Sequence, residues 1–307
     1  MTQAQKGICA EPNLHALYLT FTVVDDDSQA IRVKLARILD LLSYFDDEYY
    51  EAMVSGVLAI GTNYWYELYP DIIPKELAPF PDIHCEDRNA PNSPGDLFIL
   101  IKADRIDICH AIGVEIVQLL KPHVDLYEEV RGFRYLDGRD FTGFVDGAEN
   151  PRGMKKFDVA IVGADDPDFT GSSYLHIQRY QHNMQKWQLL PIAKQQQIMG
   201  RQKTDNRLLN SADLVTDSYT ARVQITTPNK NNSALLTQNM PYGDMSTQGI
   251  YCVSCANSPL PFIKLLKSRI FGDDEGHYDK LLDYTTAETG GAFFAPSVTF
   301  IKEHAKD

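Results

Sequence analysis

The chain has 307 residues, 44% of them hydrophobic, with a formal net charge of −13; it is long enough for two ordinary domains or one large one, with real cores. A negative charge with no lysine- or arginine-rich stripe excludes nucleic acid and acidic membrane surfaces as expected partners. Residues 1–11 hold no signal-length apolar run, and no later stretch approaches the roughly 18 apolar residues of a membrane span, so a soluble cytoplasmic protein is expected.

In chain order, Leu17, Leu19, Phe21 and Val23 alternate with Tyr18, Thr20 and Thr22, the period-2 pattern of a half-buried strand. Ile31, Leu35, Ile38, Leu39, Leu42 and Phe45 then recur at helical spacing on one face. Residues 57–60 and 96–102 read as short strands, Ile108, Ile112, Ile116 and Leu119 as a second helix, and residues 124–130 as a closing strand. The resulting order, β-α-β-β-α-β, is that of the ferredoxin-like motif. Between Cys85 and Gly95 the run Pro91-Asn92-Ser93-Pro94 predicts a loop insert.

The second half repeats the order less clearly. Leu175 and Ile177 mark a strand, residues 184–199 a helical region, and residues 223–226, 234–237 and 250–253 further strands. A last helix fits residues 261–270, with Pro261 in its first turn and Gly272 just past its end. The fold class expected is α+β, with two ferredoxin-like domains of antiparallel sheet at 1–135 and 136–307. The sequence stops at Asp307, soon after its last apolar segment, so no long recruitment tail is expected.

Five cysteines without a secretion signal read as reduced thiols. Cys252 and Cys255 have metal-binding spacing, yet they fall on a strand, where residues three apart face opposite sides. A zinc or redox role is therefore not expected of them. Lone histidines such as His176 and His182 read first as satisfied or solvated side chains, with a place in a cofactor pocket as the alternative.

Gly143-Phe144-Val145-Asp146-Gly147-Ala148-Glu149-Asn150-Pro151 sets one carboxylate on a tight glycine-flanked turn. By itself Asp146-Gly147 is an ordinary turn dipeptide. Four more segments accompany it in order: Gln185-Lys186-Trp187, Gly200-Arg201-Gln202-Lys203-Thr204-Asp205-Asn206, Asn239-Met240-Pro241-Tyr242-Gly243, and the run from Leu281 through Gly290-Gly291 to Pro296. Together they make the chain resemble the dye-decolourising haem peroxidases, especially their compact bacterial branch, from about Gly7 to Ile301.

The resemblance implies b-type haem held mainly by the C-terminal half, a homo-oligomer between dimer and hexamer, and hydrogen peroxide with a small organic reductant as substrates. It makes Asp146 the distal acid-base residue, assisted by Asn239. It places Gly147, Ala148, Glu149, Asn150, Arg222 and Asp283 around the cofactor. The family's distal arginine, which stabilises charge as the O–O bond breaks, corresponds to Thr237 here. Its proximal histidine, in a Ser-His-x-x-Arg segment, corresponds to Tyr219 within Ser218-Tyr219-Thr220-Ala221-Arg222.

Tyrosine ligates iron in catalase, but phenolate must then be favoured over phenol. Arg222 would supply a positive charge only if the backbone turns between it and Tyr219, whereas Asp283 would accept the phenol proton and work against phenolate. The residues leave three outcomes open: a peroxidase impaired at two positions, a haem-binding or carrier protein with tyrosine ligation, or a haem-free family member.

Overall fold

The computed structural model describes residues 2–211, 213–225 and 234–306. In chain order these form β1 (His15–Val23), α1 (Ser28–Glu48), β2 (Ser55–Gly61), α2 (Trp65–Leu68), β3 (Ile83–Cys85), β4 (Arg88–Ala90), β5 (Leu97–Ala103), α3 (Ile106–Leu120) and β6 (Val124–Phe133). There follow α4 (Lys155–Ala160), β7 (Ser173–His182), α5 (Met184–Gln188), α6 (Ile192–Met199), α7 (Tyr219–Val223), β8 (Leu236–Thr237) and β9 (Met240–Gly243). β10 (Gln248–Ala256), α8 (Leu260–Ile270), β11 (Thr285–Ala295) and α9 (Val298–His304) complete the chain.

Two antiparallel sheets result, ordered β2-β5-β1-β6 and β11-β7-β10-β9, each the ferredoxin-like arrangement expected. They join at both sides. Phe293 and Phe294 of β11 pair with Gly61 and Ile60 of β2, and Gly132 of β6 pairs with Tyr242 of β9, so the eight strands close into a ring. Closure explains why β1 is apolar on both faces: Leu17, Leu19 and Phe21 pack under α1 and α3, while Ala16 and Tyr18 join the ring interior. The interior is sealed by Tyr18 stacked on Tyr251 of the other sheet, ring centroids 4.0 Å apart.

The helices form where periodicity and caps agree. α1 starts with the Asp27 carboxylate accepting from Ala30 N–H at 2.9 Å and buries the six residues of its apolar stripe. α8 ends at Gly272, whose φ of +85° suits glycine.

Three expectations need correction. The insert after Cys85 is not all loop, because Arg88–Ala90 returns as β4 against β3. Its guanidinium lies 3.7 Å from the Tyr278 ring centroid, which anchors the hairpin to the C-terminal half. The region 184–199 is two helices, α5 and α6, parted before Ile192 by Pro191, which lacks an N–H. The strand expected at 223–226 is absent among its described residues: Val223 ends α7, Gln224 and Ile225 are irregular, and Thr226 lies outside the described residues. There Ser218 caps the turn, its hydroxyl accepting from Ala221 N–H at 3.4 Å, and tips a short apolar run toward helix.

Candidate active site

The Asp146 turn is rigid for local reasons. Gly143 and Gly147 adopt φ of +89° and +64°, conformations that a Cβ would strain. Asp146 N–H donates to Gly138 O at 3.1 Å, Arg139 donates to Gly143 O and Lys203 O at 2.9 and 2.7 Å, and Trp187 Nε1 donates to Thr142 O at 3.0 Å. The carboxylate is thereby fixed on a loop stapled to α5 and to the segment after α6. Across from it, β8 and β9 run along β10 as one strand interrupted at Gln238 and Asn239. At that interruption Asn239 Nδ2 donates to Asp146 Oδ1 at 3.0 Å, and Val253 N–H donates to Asn239 Oδ1 at 3.2 Å, which orients the amide.

Asp146 lines a mostly apolar cavity that is partly open to solvent. Burial, with help from the nearby Asp140 charge, pushes its carboxyl up to about 6, and the Asn239 amide works in the opposite sense. Gly147, Ala148, Glu149, Asn150, Asn239, Thr237 and Tyr219 line the same cavity, so most of the expected site converges. Arg222 and Asp283 do not line it. Arg222 pairs with Asp273 at 3.4 Å, and Asp283 accepts from the Tyr278 hydroxyl at 2.9 Å.

Tyr219 opens α7 and borders the cavity, and among the described residues none hydrogen-bonds its hydroxyl. Burial raises its pKa far above the ordinary phenol range, and the Arg269 guanidinium, 5.4 Å from the ring centroid, opposes this. Arg269, buried on α8, is held by Asp279 at 2.7 Å and donates to the Tyr180 hydroxyl at 3.0 Å. Burial works against that guanidinium's charge, but Tyr180, Asp279 and Tyr219 outweigh it and keep the group protonated. The cation and carboxylate beneath Tyr219 are thus Arg269 and Asp279. Neither stood out in the sequence, since one sits in an apolar helix stripe and the other in a turn.

Thr237 is pinned by Asn150, whose side chain accepts from its N–H and hydroxyl at 2.8 and 3.0 Å and donates to its carbonyl at 2.7 Å. The two arginines that line the cavity, Arg201 and Arg269, are both ion-paired, the first to Glu149. Behind the carboxylate, His182 places Nε2 3.0 Å from Asp140 Oδ1 and Nδ1 2.9 Å from Thr285 Oγ1, and it lines the cavity. His176 does not. It stacks on Phe262 at 4.1 Å, and burial pushes its pKa down to about 3. Cys252 lines the cavity while Cys255 enters the ring interior, as strand alternation requires. Among the described residues no cluster of three or more His, Cys, Asp or Glu could hold a metal ion.

Comparison with known proteins decides the lineage. Residues 5–134 match the family model "Dyp-type peroxidase, N-terminal" and residues 137–300 the model "Dyp-type peroxidase, C-terminal". The chain belongs to the dye-decolourising peroxidase family. Its relatives in this family include the "Dye-decolorizing peroxidase" of Mycolicibacterium paratuberculosis, 34% identical over 94% of this chain and 82% of that protein. A DyP-type peroxidase structure from Shewanella oneidensis superposes with a TM-score of 0.96 at 43% identity, covering 99% of each chain. A variant of DypB from Rhodococcus jostii RHA1, solved in complex with haem, superposes with a TM-score of 0.92 at 32% identity, covering 98% of this chain and 99% of that one. Members of the dye-decolourising peroxidase family are haem oxidoreductases acting on peroxide. No helix among the described residues is long and apolar enough to cross a membrane.

Proposed function

We propose that this dye-decolourising peroxidase oxidises dyes or small phenols with hydrogen peroxide, at reduced turnover, using Asp146 as its acid-base residue and Tyr219 as its iron ligand. The cavity supports haem b in the C-terminal half: its apolar walls suit a flat hydrophobic group, and Tyr219 offers an oxygen, unengaged among the described residues, of a type that holds haem iron. Burial disfavours the phenolate that ligation requires, and Arg269, in the place considered for Arg222, opposes that effect. Gly147, Ala148, Glu149 and Asn150 form the wall beside Asp146. Haem, when bound, supplies the redox centre that reduces peroxide and accepts electrons from the reductant.

The protein's own residues then manage protons. With its pKa near 6, the Asp146 carboxylate is ionised at neutral pH and able to accept a proton from peroxide, then return it to the departing oxygen. Asn239 holds Oδ1 in place for both steps. Among the described residues that line the cavity shared with Tyr219, Asp146 has no unpaired cation beside it, since Thr237 is neutral, Arg201 is held by Glu149 and Arg269 by Asp279.

The single observation carrying this reading is that Asp146 and Tyr219 line one cavity. The same missing cation favours a second reading, tight ferric haem binding or carriage with little turnover. Haem titration followed by peroxide and dye separates them. Slow peroxide-dependent bleaching, accelerated by Tyr219→His with Thr237→Arg, supports the peroxidase. Haem uptake with no bleaching in either protein supports the carrier, and no Soret band after haem addition overturns both in favour of a haem-free member.

A further inference from the structure

A second cavity, open to solvent, adjoins the first at the Asp146 loop. Asp146, Gly147 and Asn150 form one wall of it, and Glu11, Tyr18 and Lys102 of the N-terminal half form another. Tyr219, Arg201 and Arg269 do not line it.

Lys102 is the unusual residue. On β5, Phe98 and Leu100 point into the ring interior, and Lys102 is the next residue on that face, 4% exposed where an apolar side chain belongs. An ammonium has three N–H donors. Among the described residues it meets one hydrogen-bond acceptor, the Gln238 side-chain oxygen, and that amide is itself tied to the carbonyls of Gly7 and Ile8. A buried cation so poorly matched is costly, and burial pushes Lys102 down to about 8.

The other cations around the cavity divide in two. Lys156 is matched by Glu11 at 2.7 Å, and Arg139 by Asp137 at 2.8 Å. Arg134 and Arg152, exposed at the rim, make no side-chain hydrogen bond or ion pair among the described residues. A chain of net charge −13 thus gathers three unmatched cations, one at the floor and two at the mouth. Leu236, Met240 and Pro241 supply an apolar wall between them.

We propose that this cavity binds a small aromatic carboxylate, with its anionic end on Lys102, its ring against Met240 and Pro241, and the rim arginines steering its entry. A carboxylate has the two acceptor oxygens that the idle N–H groups of Lys102 need, and one negative charge balances one ammonium. A dianion would leave a charge stranded against the apolar wall. The site does not depend on the haem reading, and its occupant shares a wall with Asp146.

Calorimetric titration of the full chain with benzoate, and with benzyl alcohol as the neutral counterpart, tests this. Benzoate binding should exceed benzyl alcohol binding by about tenfold or more, and Lys102→Met should lower benzoate affinity by at least about tenfold, the worth of a charge-assisted hydrogen bond. Arg134→Ala with Arg152→Ala, both on the surface, should weaken benzoate several-fold and flatten its salt dependence. Tyr219→Phe should leave benzoate binding unchanged, which keeps this test apart from that of the haem site. Absent benzoate binding, equal binding of the alcohol, or Lys102→Met binding as wild type while natively folded overturns the proposal. If Lys102→Met does not fold, unchanged benzoate affinity in the double arginine variant overturns it.

Discussion

Asp146 owes its chemistry to a conflict between burial, which favours the protonated form, and the Asn239 amide, which favours the ionised one. Burial prevails. A carboxyl whose pKa rises on folding, from 3.8 to about 6, binds its proton more tightly in the native state. Its contribution to stability is therefore largest below about pH 4 and is lost as pH rises toward 6. In urea denaturation from pH 4 to 7, Asp146→Asn should remove about 1–2 kcal/mol of that fall, after allowance for partial exposure. The ionised carboxylate is the proton acceptor, so the peroxide reaction of the haem-loaded protein should quicken as pH rises through about 6. Stopped-flow measurement on Asp146→Asn should show a slow, flat profile instead. For Tyr219→Phe the ring and its Arg269 contact survive while the oxygen goes. Haem titration should show weakened uptake and a changed Soret band, with stability altered by no more than about 1 kcal/mol.

α7 has five residues, too few to be stable alone, and is held by its flanks. Thr220 Oγ1 donates to Met199 O at 2.7 Å, and Ser218 Oγ donates to Val215 O at 2.8 Å. Gly200, with φ of +78°, ends α6 so closely against this turn that a Cβ would sit 3.0 Å from Thr220 Cβ and 3.1 Å from Ser218 Oγ. Gly200→Ala should therefore cost about 1–3 kcal/mol from the left-handed backbone and the crowding together. It should also lower haem affinity by shifting Tyr219. Denaturation and haem titration of the same variant check both halves of this expectation.

The closed ring makes the two ferredoxin-like halves one mechanical unit, and its interior is packed by aromatic contacts between sheets. Tyr251 is fully buried, stacks on Tyr18 across the ring, and lies within 6.3 Å, centroid to centroid, of Phe98. Tyr251→Ala should cost about 3–5 kcal/mol, the scale of a large aromatic cavity. Calorimetry should still show both halves unfolding in one transition. Two separate transitions would mean that the ring does not couple them. Arg269 links α8 to Tyr180 on β7 and to Asp279. Arg269→Met should cost about 3–5 kcal/mol in urea denaturation, because it strands the fully buried Asp279 carboxylate.

Sequence by itself determined the elements whose signals are local: the stripe of α1, the alternation of β1, the opposite faces of Cys252 and Cys255, the glycine turn under Asp146, and the presence of Tyr219 and Thr237. These follow from backbone periodicity and turn chemistry, which act over a few residues. The tertiary structure decided which partners meet. Arg269 and Asp279 came beneath Tyr219 in place of Arg222 and Asp283, and Lys102 met the Gln238 interruption across the two halves. Tyr219 and Arg269 lie 50 residues apart in the chain, and Lys102 and Gln238 lie 136 apart. Such pairings are chosen by the burial of charge in a shared core, which no local pattern of residue types records.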